Sequence, residues 1–197
     1  MLTSLPVILL FGHSFIKRLQ RDLLHHFDSR AYSSFALEHD AVVQMVGIGG
    51  RTVPKALSLD LAVIKKLKPD IVILELGTND LSSCRPETVG SDIEDLVRIF
   101  LDSLGVAVVG VCRVLPCCHS DPTISQFNVK VDILNRYLEV IFEHHPRVFV
   151  WCHRGFSNPS RVVYLADGVH MNAAGQYSLY RSYRGAMLKA LRLLKNL

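Results

Sequence analysis

The sequence predicts an α/β fold, a three-layer α/β/α sandwich on a five-stranded parallel sheet with flavodoxin-like strand order. Three observations carry this: five short apolar runs rich in β-branched residues, five longer stretches with apolar residues three and four apart, and strict alternation of the two. The expected strands are Pro6 to Phe11, Ala41 to Val46, Asp70 to Leu76, Val106 to Val111 and Arg147 to Trp151. Each is apolar almost throughout, as strands covered on both faces are. The expected helices are Phe15 to Phe27, Val53 to Leu67, Thr88 to Leu104, Phe127 to His145 and Ala174 to Leu194. Pro54 and Pro86 stand near two helix starts, where a missing N–H costs nothing. A βα order repeated five times implies right-handed crossovers with helices on both faces.

Composition narrows the class. The chain has 197 residues, near the ~150 of one domain, and residues 1–197 are expected to form a single domain. With 49% hydrophobic and 20% charged residues it is too apolar for a disordered chain. No apolar run nears the ~18 residues of a membrane span. The net charge of +4 permits an anionic partner without demanding one. Five irregularly spaced cysteines, with no Cys-x-x-Cys, make no disulfide framework and fit a reducing, cytoplasmic setting. Cys117-Cys118-His119, His25-His26 and His144-His145 lack the spacing that aims several ligands at one ion, so no metal or cofactor is expected. Leu5 to Phe11 has no basic residues before it and no small-residue cleavage site after it, so it reads as a strand and not a signal peptide.

In open α/β sheets ligands bind outside the carboxyl ends of the strands. Four segments follow strand ends here: Gly12-His13-Ser14-Phe15, Gly47-Ile48-Gly49-Gly50-Arg51-Thr52, Gly77-Thr78-Asn79-Asp80 and, beyond a polar loop, Asp167-Gly168-Val169-His170-Met171-Asn172. Together they hold what activation of a weak hydroxyl nucleophile requires. Ser14 stands at a strand-to-helix turn, His170 can act as its base, and Asp167 can orient that base. The Ser14 N–H, a backbone N–H of the Gly49-Gly50 pair and the Asn79 side-chain amide are candidate donors to an oxyanion. Each has an ordinary reading: Ser14 as a helix cap, Asn79 in an Asx turn, Gly49-Gly50 as a backbone need, His170 as a half-buried hydrogen-bonded side chain. Their joint occurrence at four strand ends argues for a site.

These four blocks resemble those of the SGNH or GDSL hydrolase family: a nucleophilic serine, an oxyanion glycine, an oxyanion asparagine, and a histidine three residues after an aspartate. The match runs from Gly12 to beyond Gly175. The resemblance implies a serine esterase with Ser14, His170 and Asp167 as catalytic residues and Ser14, Gly50 and Asn79 in the oxyanion hole; Gly49 remains an alternative to Gly50. The Gly-Ile-Gly-Gly and Gly-Thr-Asn wording is also similar to the acetylhydrolases of platelet-activating factor, which implies short acyl groups. A narrower resemblance is to the esterase domain in the first-open-reading-frame protein of animal, particularly fish, LINE-type retrotransposons. It rests on Gly12 to Phe15, Trp151 to Phe156, and Asp167 to Asn172 through Arg181 to Gly185. It implies that RNA is met only through parts outside this chain. One departure stands out: the family's first block has aspartate before the serine, and here it is His13. That imidazole either packs at the turn or alters the pH response of the site.

Phe15, Leu81, Val169 and Met171 flank the catalytic positions and are candidate substrate contacts, or else core. The last helix places Tyr180, Tyr183, Met187, Leu191 and Leu194 on one face and Arg181, Arg184, Arg192 and Lys195 opposite. The basic side is either simply solvated or contacts anionic lipid or an RNA backbone. An esterase acting on short-chain or lipid acyl esters leads. A lipid- or nucleic-acid-binding module with incidental turnover is the alternative, and a nucleotide-binding domain is weaker because no phosphate loop of the Walker type is present.

Overall fold

The computed structural model describes residues 4–26, 34–118, 122–156 and 163–197, with backbone only at 24–26 and 122–125. The Phe27 end of the first expected helix, His119, and the side chains of His25 and His26 lie outside these. The strands are β1 (Val7–Gly12), β2 (Val42–Gly47), β3 (Ile71–Glu75), β4 (Val108–Cys112) and β5 (Val148–Trp151). Helix α1 is Ser14–His26. Helix α2 is assembled from Val53–Lys55, a π turn at Ala56–Asp60 and Leu61–Leu67. Helix α3 is Pro86–Arg98, continued by a π turn at Ile99–Ser103, α4 is Pro122–Phe142 and α5 is Ala173–Leu194. Two helices start earlier than their apolar periodicity suggests, α3 at Pro86 and α4 at Pro122. In both the first residue is a proline, whose fixed φ suits a first turn and whose missing N–H would have had no partner.

All five strands pair in parallel in the order β2-β1-β3-β4-β5, as the sequence predicts. Alternate strand residues separate into two cores. Ile8, Leu10, Ile71 and Ile73 pack against α1 and α5, while Leu9, Phe11, Val72 and Leu74 pack against α2, α3 and α4. On α5, Tyr180, Tyr183, Met187 and Leu191 are buried, and Arg181, Arg192 and Lys195 are exposed. Arg184 departs from the expected basic face: it is half-buried and its Nε donates to the Phe35 carbonyl at 2.9 Å. Among the described residues no helix is long and apolar enough to cross a membrane.

Register brings the chemistry together. Gly12 lies opposite Gly47 on one side and Glu75 on the other, so three strands end level with one another. At Gly47 the backbone of α1 comes so close that an added Cβ would lie 2.1 Å from the Lys17 nitrogen. Only glycine permits α1 to sit at this depth. Gly47→Ala is therefore expected to destabilise the protein by about 1–3 kcal/mol, the usual cost of overpacking, because backbone rather than a flexible side chain must give way. Urea denaturation of the two proteins, compared at constant m-value, measures it.

Candidate active site

The sharp turn after β1 makes Ser14 the first residue of α1, with Phe15 buried beneath it. His170 reaches the serine from the loop before α5. That loop is pinned by an antiparallel bridge between Tyr164 and Met171, by the Leu165 N–H donating to the His170 carbonyl at 2.6 Å, and by the Asn172 side chain accepting from Gly175 N at the start of α5. The result is one continuous chain of hydrogen bonds: His170 Nε2 lies 3.0 Å from Ser14 Oγ, and His170 Nδ1 lies 2.7 Å from Asp167 Oδ2. Asp167 Oδ1 also accepts from the backbone N–H groups of Val169 and His170 at 3.0 and 2.8 Å. Burial alone would raise its carboxyl, but the hydrogen bonds from His170 and Val169 outweigh it and lower the pKa to about 2. Asp167 is therefore ionised at neutral pH, and holds the ring with Nε2 toward the serine.

Three donors face the same rim. Neither the Ser14 N–H nor the Gly50 N–H has an acceptor among the described residues. Gly50 adopts φ +69°, a left-handed conformation that carries no Cβ penalty in glycine, and the space a Cβ would fill is open. The Asn79 Nδ2 donates to the Arg51 carbonyl at 2.9 Å, which aims the amide and leaves its second hydrogen for an incoming group. Other contacts fix these loops to one another. Asp80 Oδ1 accepts from Val53 N at 2.9 Å and so caps α2, and Arg51 Nε pairs with Asp60 at 2.9 Å. Gly49 N–H likewise has no backbone acceptor among the described residues, and Gly49 lines the hollow of Ser14 and His170 beside Lys17, so both glycines of the pair stand as candidate donors.

His13 is buried. Its Nδ1 accepts from Phe15 N at 3.4 Å and its Nε2 meets Thr78 Oγ1 at 3.1 Å, tying the first block to the third. Burial lowers its pKa to about 4, with the Glu75 charge opposing and His170 adding to the shift. It packs and hydrogen-bonds at the turn and does not touch Ser14 Oγ.

Two hollows open at the rim, one at Ser14 and His170 and one at the Asn79 loop. One, of about 530 Å³, is lined by Ser14, Lys17, Arg18, Arg21, Gly49 and His170, with Gln20 the remaining residue. The other, of about 470 Å³, includes Asn79, Leu81, Cys117, Phe127, Lys130 and Val169. Of the four expected substrate contacts, half-buried Val169 lines the second hollow, and Leu81 borders it but is 0% exposed and packs in the second core. Phe15 and Met171 do not: they are 1% and 2% exposed, and they serve as core anchors directly beneath Ser14 and His170. A helix start and a loop bridge each need an apolar residue to hold them to the core, and these residues supply it.

Beneath the rim lies a polar cluster that periodicity did not disclose. Glu75, at the end of β3, is fully buried. Its Oε2 accepts from Tyr183 OH at 2.9 Å and from His153 Nε2 at 3.0 Å, and its backbone carbonyl accepts from His13 N at 3.2 Å. His153 Nδ1 in turn meets Ser182 Oγ at 2.8 Å, which also accepts from Trp151 Nε1 at 3.0 Å. Burial would raise the Glu75 carboxyl, but the hydrogen bond and charge of His153, with His13 and Tyr183, hold it below its ordinary value. Glu75, Cys112 and His153 bring ligand-type atoms within 4.8 Å of one another. Here His153 Nε2 is engaged with the Glu75 carboxylate, and burial pushes the Cys112 thiol well up. The only sequence signal was a glutamate inside an otherwise apolar strand.

A parallel α/β sheet carrying a serine, a histidine and an aspartate in hydrogen-bond sequence, with unpaired N–H donors beside the serine, defines the serine ester hydrolase class. The profile of the GDSL-like Lipase/Acylhydrolase family matches residues 10–177, and the chain belongs to that family. No sequence match to a curated protein was found. In fold the chain is similar to a GDSL-like lipase from Bacteroides thetaiotaomicron, at TM-score 0.71 and 19% identity over 93% of this chain and 88% of that one. It is also similar to a carbohydrate esterase family 3 protein from Talaromyces cellulolyticus, at TM-score 0.69 and 17% identity over 98% and 100%.

The buried groups give two expected outcomes. His13 has a folded pKa of about 4 against an ordinary 6.5. Below pH 6.5 the unfolded chain binds a proton that the folded one does not, so His13 makes stability fall as pH drops from 6.5 to about 4, by roughly 3 kcal/mol in all. His13→Gln should flatten that part of the stability–pH curve relative to wild type. Tyr183→Phe removes one charge-assisted bond to a fully buried carboxylate and should cost about 1.5–3 kcal/mol in chemical denaturation.

Proposed function

We propose that the protein is a serine esterase acting on short-chain acyl esters through an acyl-enzyme, with Ser14 as nucleophile. The single observation that carries this is the unbroken hydrogen-bond sequence Asp167, His170, Ser14 beside backbone N–H groups that have no acceptor among the described residues. In this reading Ser14 Oγ attacks the ester carbonyl while His170 Nε2 takes the hydroxyl proton. The tetrahedral oxyanion is held by the N–H groups of Ser14 and Gly50 and by Asn79 Nδ2. The intermediate collapses as His170 gives the proton to the departing alcohol. Water, deprotonated by the same nitrogen, then hydrolyses the acyl-serine, and Ser14 recovers its proton.

The hollow beside Asn79 supports a short acyl chain. Phe127 and Val169 offer apolar contact in the hollow that Asn79 lines, while Thr78, Ser82 and Lys130 bring polar groups into the same space. Each buried methylene contributes about 0.8 kcal/mol only while apolar wall remains, so acetyl to butyryl groups fit best and a lipid substrate would carry such a group. The wording of Trp151 to Phe156 and of Arg181 to Gly185 supports a finer reading, the esterase domain of a LINE-type retrotransposon protein acting in the cytoplasm. His153, Ser182 and Tyr183, which hold Glu75, come from those same two segments.

Ser14→Ala is expected to abolish hydrolysis of p-nitrophenyl acetate and labelling by a fluorophosphonate while thermal unfolding is unchanged, and His170→Ala to be comparably damaging. Labelling mapped to another residue, or full turnover by folded Ser14→Ala protein, would overturn the assignment. Asn79→Ala should lower kcat about 10²-fold with KM nearly constant, the signature of a donor used chiefly in the transition state.

A further inference from the structure

The four blocks of the site stand after β1, β2, β3 and β5, and the end of β4 supplies none of them. The segment that continues β4, Val114 to Cys118, bonds to α4 on one side and to the loop of Asp167 and His170 on the other. Two asparagines of α4 hold its backbone. Asn135 Oδ1 accepts from Val114 N at 2.8 Å while its Nδ2 donates to the Val114 carbonyl at 3.0 Å. Asn128 repeats the pattern on Cys117, accepting from its N–H at 2.8 Å and donating to its carbonyl at 2.9 Å. The lengths agree. Three extended residues span about 10 Å and seven helical residues rise about 10.5 Å, so an extended chain antiparallel to α4 meets both amides in register.

What the segment holds is the loop of the base. Cys118 N–H donates to the Gly168 carbonyl at 2.7 Å, and the Pro116 carbonyl accepts from Tyr164 OH at 2.7 Å. Gly168 lies between Asp167 and His170, and Tyr164 forms the bridge to Met171, so one bond grips the turn itself and the other the bridge at its base. Asparagines that satisfy the backbone of a strand end are ordinary, and Asn135, at 3% exposure, is one of these. Asn128 differs, because the residue it fixes, Cys117, stands between the two that bond to the loop.

We propose that Asn128 is a positioning residue for His170: by fixing both backbone groups of Cys117 it holds Pro116 and Cys118 against the loop, and so sets the place of the imidazole relative to Ser14. This rests on the esterase reading above and adds a residue that touches neither substrate nor the reacting atoms. His170 must keep Asp167 at 2.7 Å and Ser14 at 3.0 Å at once, which leaves the loop little room to drift. A displacement of about 1 Å at a reacting group can cost up to about 10²-fold in rate. Asn128 lines neither hollow at the rim, so its loss is felt in proton transfer and not in substrate binding.

The test is Asn128→Ala, with Asn135→Ala for comparison. Asn128→Ala should lower kcat for p-nitrophenyl acetate about tenfold while KM stays within about twofold. Asn135→Ala, which leaves both backbone groups of buried Val114 unpaired, should lose more stability in urea but less kcat. A role in stability alone would rank the two variants alike in both measurements. Proton NMR reads the base directly: the His170 Nδ1 proton, carried downfield by its bond to Asp167, should broaden or move upfield in Asn128→Ala protein, while the Asn79 side-chain amide signals stay in place. An unchanged kcat or an unchanged His170 signal in folded Asn128→Ala protein would overturn the proposal. So would a raised KM at constant kcat, which would make Asn128 a shaper of the Asn79 hollow through Cys117. If wild-type protein hydrolyses no ester, the esterase reading fails, and the His170 signal still decides whether Asn128 positions the ring. If Asn128→Ala does not fold, Asn128→Asp, with the same shape but no donor to the Cys117 carbonyl, carries the same two readings.

Discussion

A buried carboxylate holds the active rim in place. Glu75 ends β3 with no contact with solvent, and the protein surrounds it with donors from three separate parts of the chain: His153 after β5, Tyr183 in α5 and, through its backbone carbonyl, the His13 N–H after β1. A charge at that depth is tolerable only when such partners are present, because losing one leaves the penalty of burial uncompensated. The cost of an unpaired carboxylate is thus converted into a geometric requirement. Strands β1 and β3, the segment after β5 and helix α5 must meet at one point, directly below Ser14.

Above that point the loops are joined to one another as well as to the sheet. His13 meets Thr78, Asn79 donates to the Arg51 carbonyl, Asp80 caps α2 through Val53, and Ile48 N donates to the Gly12 carbonyl at 3.0 Å. Each bond links two different strand ends. An oxyanion hole works by having its donors fixed before charge develops, so that no reorganisation is needed at the moment of reaction. Cross-linked loops supply that rigidity, and buried Phe15 and Met171 extend it to the nucleophile and the base from the core side.

The division of space around Ser14 follows from the same construction. The Asn79 loop and the start of α4 close one side with a mixed apolar and polar wall, and the exposed ridge of α1 closes the other with cations. Because Gly47 lets α1 settle against β2, Lys17 is carried over the oxyanion loop instead of standing clear of it. A packing requirement between a helix and a strand thereby determines what charge lines the hollow at Ser14.

Much of this is legible in the chain itself. Apolar runs of strand length alternating with helical periodicity specify the sheet and its layers, because each element must bury a face and only one architecture buries all of them. The four blocks could be read at the strand ends because the carboxyl edge of a parallel sheet is where loops converge. Periodicity is silent on contacts between residues far apart in sequence. Glu75 with Tyr183 spans 108 positions and Ser14 with His170 spans 156, so whether a glutamate in a buried strand finds donors, and which nitrogen of a histidine faces the serine, depends on how distant segments pack. Tertiary structure also decided that Phe15, Met171 and, at the edge of the hollow, Leu81 are packed in the core while Val169 stays partly open to it. All four are apolar and adjacent to functional residues, and only the direction of the backbone at each position separates a core side chain from one that meets substrate.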